Sequence, residues 1–480
     1  MKKIFLILFV FLSAFSLFAQ KLEAEDGDAY SAKTASSISG FSGKGYVDFL
    51  PGGSSFVKIT FKTKKSSNYA FKLTYSADSE KPSAVKVEID DKYLVTQKLQ
   101  ASDSFTNNFL LNTALLEKGQ HTVKVTGYRG KWSFDSIEVI EADDKLISQI
   151  KNKRLVNPNA IPEAQKLFEY LCQMQGKGIL SGQQIYGQNT QEIKTLLAAT
   201  GKNPAVLGID LIDFSPSRVE HGASGGRLTS VAKKYWDEGG IITCAWHWNA
   251  PSGLIDKDMP EMHWYDGFRT KATTFDFSKG IKDHESEEYK LMIRDIDAIA
   301  KQLKILAKNN IPVLWRPIHE ASGKWFWWGA KGPENYIELY KLMYDRLVNY
   351  HGLNNLIWVW NAQDPDWYPG DEYVDVLSYD YYPMKYKHGT ADEYLAKIQA
   401  ATDKAKLYAI SENGALPNVV KLEEEKSLWS WWCTWNGDFT VAADGKSYSE
   451  SNTSLDSLKL YYNNPYTITR DELPSFKVSQ

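Results

Sequence analysis

Two glutamates stand just beyond apolar runs, where no core has a use for them. Glu320 closes Leu314-Trp315-Arg316-Pro317-Ile318-His319-Glu320, and Glu412 lies in Tyr408-Ala409-Ile410-Ser411-Glu412-Asn413-Gly414. A pair of carboxyl groups converging on one cleft is the equipment for breaking a glycosidic bond. One protonates the leaving oxygen, while the other attacks the anomeric carbon or activates water. A gap of about 5–5.5 Å between them means retention of configuration, and about 6.5–9.5 Å means inversion. Spacing along the chain leaves that choice open. Either glutamate alone reads equally as an ion-pair partner of Arg316 or a nearby lysine. Two of them at strand ends, each in a polar cluster, favour catalysis.

Other strand ends add polar and aromatic groups. Ala245-Trp246-His247-Trp248-Asn249 places His247 and Trp248 among the candidate substrate-binding residues, the alternative being a core histidine with a satisfied partner. In Tyr379-Asp380-Tyr381-Tyr382, a tyrosine suits hydrogen bonding to the nucleophile and Asp380 suits orienting it. Gly323-Lys324-Trp325-Phe326-Trp327-Trp328-Gly329 reads as a sugar-stacking wall, and Trp435 in Trp431-Trp432-Cys433-Thr434-Trp435-Asn436-Gly437 as the floor of a sugar subsite. Flat rings stack on the apolar C–H faces of sugars, although Trp and Tyr also fill cores.

These segments need a scaffold that presents strand ends on one face. From about residue 161, apolar strands alternate with amphipathic helices. Eight candidate strands are Gly178–Gly182, Ala205–Leu211, Ile241–His247, Val313–His319, Leu356–Trp360, Val374–Tyr379, Leu407–Ser411 and Leu428–Thr434. Helical periodicity is clearest over Asp295–Lys308 and Asn335–Tyr350. Eight β/α units over 161–470 predict an α/β fold, a (β/α)8 TIM barrel, whose active sites lie at the C-terminal strand ends. An open doubly wound sheet is the runner-up. Ahead of it, residues 20–142 carry short alternating runs separated by turn clusters such as Asp90-Asp91-Lys92, which predicts an all-β sandwich. Residues 143–160 read as a linker, with helical spacing over Lys145–Leu155. Residues 1–19 have the charged start, apolar run and terminal small residue of a signal peptide, cleaved after Ala19. That predicts a secreted or periplasmic protein with no membrane insertion after cleavage.

Composition narrows the partners. The 56 Lys+Arg and 59 Asp+Glu nearly cancel, which argues against nucleic acid and membrane surfaces and suits an uncharged ligand. Three cysteines, Cys172, Cys244 and Cys433, rule out a full disulfide framework and read as buried free thiols.

The segment Arg316-Pro317-Ile318-His319-Glu320, the Trp-rich loop behind it, Trp246-His247-Trp248 and Ser411-Glu412-Asn413-Gly414 together resemble glycoside hydrolase family 26 over roughly 157–466. The resemblance implies a retaining endo-β-1,4-mannanase that needs no cofactor for catalysis and acts on mannan, galactomannan or glucomannan. It implies Glu320 as acid/base, Glu412 as nucleophile, and His247, His319, Trp325, Tyr382 and Trp435 as substrate-side residues, with Tyr381 as the alternative to Tyr382. Arg316 and Asp380 are supporting groups. The family also includes enzymes of β-1,3-1,4-glucan and β-1,3-xylan, so these substrates stay open, as does a non-catalytic glycan-binding barrel. The insert Ile255–Glu288 is expected to wall one end of the cleft and favour short products. The sandwich resembles family 35 or family 6 carbohydrate-binding modules. That resemblance implies a structural calcium on Glu23, Glu25 and Asp135, hard oxygen ligands of the kind calcium prefers, against the alternative of solvated charge at strand ends. Trp132 is either a sugar-binding residue of this module or part of its core.

Overall fold

The computed structural model describes residues 19–49, 55–77, 83–99, 101–142, 154–402 and 404–478. The signal-peptide reading and most of the linker, with its expected helix, lie outside the described residues. The chain divides into two compact units, an N-terminal one up to residue 151 and a C-terminal one from residue 152, with residues 96–98 grouped with the second.

The N-terminal unit is an antiparallel sandwich. In one sheet Ala32–Ala35, Tyr46–Phe49, Trp132–Glu141, Ser67–Ala77 and Ser102–Leu116 pair in that order, and Ala19–Glu23 also pairs with Trp132–Glu141. In the other, the order is Asp28–Tyr30, Phe56–Thr63, Gly119–Arg129, Ser83–Ile89 and Lys92–Leu99. Alternation explains the layering: Val57, Ile59 and Phe61 point into the core while Thr60 and Lys62 face out. The Asp90-Asp91 turn takes φ of 54° and 60°, the left-handed pair that matches the twist of a hairpin. Trp132 is 2% exposed and packs on Phe49 at 4.6 Å, so it is core and not a sugar platform.

The C-terminal unit is a closed parallel barrel. Its strands are a first strand broken into Ile179–Leu180 and Gly182–Gln184, then Val206–Asp210, Ile241–Trp246, Val313–Pro317, Leu356–Trp360, Val376–Tyr381, Leu407–Asn413 and Trp429–Thr434. Pairing of Gln183 with Thr434 closes the circle. Strands three, four, five, seven and eight are buried along their whole length, as parallel strands covered on both faces must be. The helix expected over Asp295–Lys308 runs over Glu287–Ala307, because Ser286 caps it by accepting from the Tyr289 N–H at 3.2 Å. The next expected helix ends as α at Tyr344 and continues as a π-helical stretch over Asp345–Tyr350. Cys244 and Cys433 are buried free thiols, whereas Cys172 is only half-buried. No described helix is long and apolar enough to cross a membrane.

Candidate active site

Strand four ends at Pro317, and the chain then turns sharply. Ile318 and Glu320 adopt left-handed φ of 40° and 52°. Each such non-glycine residue costs on the order of 1–3 kcal/mol, and a β-branched one is especially disfavoured. Surrounding bonds hold them: the Glu320 N–H donates to the Asn361 carbonyl at 2.6 Å, and the Trp328 indole donates to the His319 carbonyl at 2.7 Å. The turn lifts the Glu320 side chain out of the barrel wall. Trp325 Nε1 donates to Glu320 Oε2 at 2.8 Å, and Gln363 Nε2 reaches Oε1 at 3.5 Å. A Cβ on Gly323 would fall 1.9 Å from the Trp325 ring, so glycine lets that indole lie flat across the loop.

Glu412 arrives differently. Strands six and seven shift register between Tyr379 and Asp380, which puts Asp380 level with Glu412. Bulges of this kind re-aim side chains near sites. Arg316 Nη2 donates to Glu412 Oε1, and Tyr382 OH donates to Oε2 at 2.9 Å. Arg316 Nη1 donates to Asp380 Oδ2 at 3.0 Å, and Asn361 Nδ2 donates to Oδ1 at 2.8 Å. Tyr381 is buried and its hydroxyl accepts from the Gly389 N–H instead, so of the two candidate tyrosines it is Tyr382 that reaches Glu412.

Charge is crowded here. Glu320, Glu412 and Asp380 share the single buried guanidinium of Arg316. Burial would discharge Arg316, but Asp380 and Glu412 outweigh it and hold the guanidinium ionised. Burial, then the charge of Glu412, raises the pKa of Glu320. Burial likewise raises Asp380, against the pull of Arg316. Ligand atoms of His319, Glu320 and Asp380 lie within 4.8 Å of one another. Three carboxyls thus face one cation, so a proton held among them belongs to the cluster rather than to one residue.

His247 and His319 form the opposite wall. Their Nε2 atoms are 3.1 Å apart, and His319 Nε2 is 3.8 Å from Glu412 Oε1. Trp435 meets His247 edge-to-face at 5.6 Å, so both border the same cleft.

Several expected residues fall elsewhere. Trp248 is fully buried; its indole donates to Asp295 at 2.9 Å and its carbonyl accepts from Trp327 Nε1 at 2.6 Å. It is a packing residue beneath the loop, not a substrate contact. Trp327 and Trp328 are buried with it and Phe326 is 6% exposed, so of the four aromatics read as a wall only Trp325, 45% exposed, faces out. Composition could not separate them, since rings that brace a loop look like rings that bind sugar. The insert after strand three braces the same loop: the Thr270 N–H donates to the Trp325 carbonyl at 2.8 Å, and Arg269 bridges Phe326. Three further polar groups join the cluster from strand ends not singled out by the sequence: Asn361 and Gln363 follow strand five, and Asp210 is the polar last residue of strand two.

In the sandwich, Glu23 Oε2 and Asp135 Oδ2 both accept from Ser42 Oγ, at 2.7 and 3.0 Å. Glu25 Oε1 accepts from the N–H groups of Lys44 and Gly45, and Glu25 Oε2 is buried without a hydrogen-bond partner. The three acids thus converge on the loop 42–45, where Lys21 also approaches Ser42 and Glu23.

Known proteins place both units. Residues 156–472 match the model of glycosyl hydrolase family 26, and residues 20–143 that of carbohydrate binding module family 35, which decides between the two module families considered. The chain is 38% identical over 464 residues to a mannan endo-1,4-beta-mannosidase of Thermothelomyces thermophilus, covering 96% of this chain and 92% of that protein. It is 33% identical to mannan endo-1,4-beta-mannosidase A of Piromyces sp, covering 100% of this chain and 77% of that one. Among solved structures, the Podospora anserina GH26-CBM35 beta-(1,4)-mannanase matches with a TM-score of 0.63 and 36% identity, over 95% of this chain and 99% of the other. Barrel, module and their order along the chain therefore agree: this chain belongs to glycosyl hydrolase family 26 and carries a family 35 carbohydrate-binding module ahead of its barrel.

Proposed function

We propose that the chain is a retaining endo-β-1,4-mannanase, with Glu412 as nucleophile and Glu320 as acid/base. The contrast between the two carboxyls carries the reading. Glu412 accepts from Arg316 on one oxygen and from Tyr382 on the other. Glu320 instead takes hydrogen bonds from the uncharged Trp325 and Gln363, and burial, then the charge of Glu412, raises its pKa, which suits it to carry the proton the leaving oxygen needs. In the first step Glu320 gives its proton to the glycosidic oxygen as the C–O bond breaks, and a Glu412 oxygen bonds to the anomeric carbon. In the second, Glu320 takes a proton from water, the water oxygen attacks the anomeric carbon, and the bond to Glu412 breaks. Two displacements restore the original configuration. His247, His319, Trp325, Tyr382 and Trp435 line the sugar path. The mannanase names of the full-length relatives favour mannan over the two other glycans.

Glu412→Ala removes turnover on soluble mannan while the fold and polysaccharide binding persist; full activity in that variant sinks the assignment. A panel of galactomannan, glucomannan, lichenan and β-1,3-xylan tests the substrate, and cleavage of lichenan without mannan overturns it. Proton NMR of the first-formed product reads the anomer, β for retention.

The module's hard oxygen set suits calcium, with the unpartnered oxygen of Glu25 as the position that most needs a cation. Glu23, Glu25 and Asp135 would hold it and tie the loop 42–45 to the sheet. The N-terminal apolar run supports export, and we read the mature protein as secreted or periplasmic.

A further inference from the structure

Strand two contributes a carboxylate that no part of the foregoing chemistry uses. Asp210 lies at the strand's end and grips one residue twice: the His247 N–H donates to Oδ1 at 3.1 Å, and His247 Nδ1 lies 2.5 Å from Oδ2. An ionised carboxylate can only accept, so His247 carries a proton on Nδ1. Its Nε2 then faces Nε2 of His319 at 3.1 Å. Two lone pairs cannot meet at that distance, so one proton lies between the rings.

We propose that Asp210 is a positioning residue for the reaction: through His247 it decides which nitrogen of His319 carries the proton beside Glu412. Charged groups around His247 come from three strands. Asp210 is on strand two, Arg316 and the neighbouring His319 belong to strand four and its turn, and Glu412 is on strand seven. Phe268, Phe326 and Trp435 enclose the ring and bring no charge. Burial opposes the imidazolium, but Asp210 outweighs it and keeps His247 above the ordinary histidine range. Burial, Arg316 and His247 together push His319 well below it. The shared proton therefore rests on His247 and is donated to His319, whose own proton sits on Nδ1. His319 then presents no N–H to Glu412, and both Glu412 oxygens keep the partners described above. When His247 loses its proton, His319 must carry one on Nε2; that N–H donates to His247 Nε2, and the nitrogen bearing it lies 3.8 Å from Glu412 Oε1, so the field at the attacking carboxylate changes. Among the described residues His319 Nδ1 has no hydrogen-bond partner, so of these only His247 fixes the tautomer.

The inference rests on Glu412 as nucleophile, and its test has an arm that needs no substrate. Nitrogen-15 spectra of the histidine rings distinguish imidazolium from the two neutral tautomers. Wild-type enzyme should show His247 as imidazolium and His319 as the Nδ1–H form near neutral pH; a neutral His247 there overturns the proposal, whether or not any variant folds. In Asp210→Asn, His247 should titrate at lower pH and His319 should change tautomer with it. Turnover should fall about tenfold or more, as when an orienting partner behind a functional histidine is removed. The high-pH limb of kcat/KM should move to lower pH, with KM changing less than kcat, and Asp210→Glu should restore part of the shift. A variant that only melts earlier, with unchanged ring signals and an unmoved pH profile, assigns Asp210 a purely structural role and overturns the proposal. Wild-type spectra as expected in an enzyme that leaves mannan intact would refute the substrate reading alone.

Discussion

Glu320 and Glu412 have the same side chain and opposite tasks, so their surroundings must separate them. Glu412 sits between a guanidinium and a phenol; Glu320 sits under an indole, beside other carboxyls. Removing the phenol in Tyr382→Phe deletes a hydrogen bond to a charged group, about 1.5–3 kcal/mol, so kcat should drop roughly 10- to 100-fold. Steady-state kinetics on soluble mannan check this, and an unchanged kcat would show that Arg316 alone suffices. Glu320 works protonated, so activity should be lost as pH rises through its pKa. Burial and the Glu412 charge keep that pKa above the ordinary carboxyl range, which places the high-pH limb of kcat/KM above that range too. In Glu320→Gln the share of the limb due to Glu320 should vanish, leaving that of His247, and the rate deficit should shrink on aryl glycosides whose leaving groups need no proton. A deficit equal for all leaving groups would deny Glu320 the acid role.

At the scale of elements, the cleft depends on loops that brace one another. The strand-four turn contains Ile318 and Glu320 at positive φ, and buried indoles hold it: Trp328 on the His319 carbonyl, Trp327 on the Trp248 carbonyl, Trp248 on Asp295 of the long helix. Trp248→Ala should therefore cost about 3–5 kcal/mol of stability, as deletion of a buried large side chain does. Urea denaturation measures it. KM for short oligosaccharides should move less than stability does, and a large KM rise at full stability would return Trp248 to the substrate side. Periodicity made the strands readable because their apolar residues follow from burial on both faces. Helix starts were less readable, since the first turn, Glu287-Glu288-Tyr289-Lys290, has no buried residue and announces itself only through the Ser286 cap. Strand one broke where no pattern shows it, at Ser181, just ahead of Gly182, whose Cβ would lie 2.3 Å from the Trp432 carbonyl.

At the scale of the whole molecule, two units with different chemistry share one chain. If calcium ties the loop 42–45 to the sandwich, saturating calcium at about 100-fold over its Kd should stabilise the module by about 2.7 kcal/mol. Calorimetry with calcium and with EDTA reads this as a shift of the module's transition, and Glu25→Gln should abolish it. An unmoved transition leaves these acids as hydrogen-bond partners of Ser42, Lys44 and Gly45 alone. By itself the sequence determined the barrel, the sandwich and their order, and put forward Glu320 and Glu412 as the candidate pair, because burial periodicity and polar residues just past apolar strands are local properties. Tertiary structure alone decided which Trp faces out and which packs, since Trp325 and Trp327 differ only in the direction the loop turns them. It decided that Tyr382 and not Tyr381 meets Glu412, because side chains alternate across a strand and a bulge sets the register. It also brought Asp210 to His247 from another strand, a contact between residues 37 apart that no spacing rule announces.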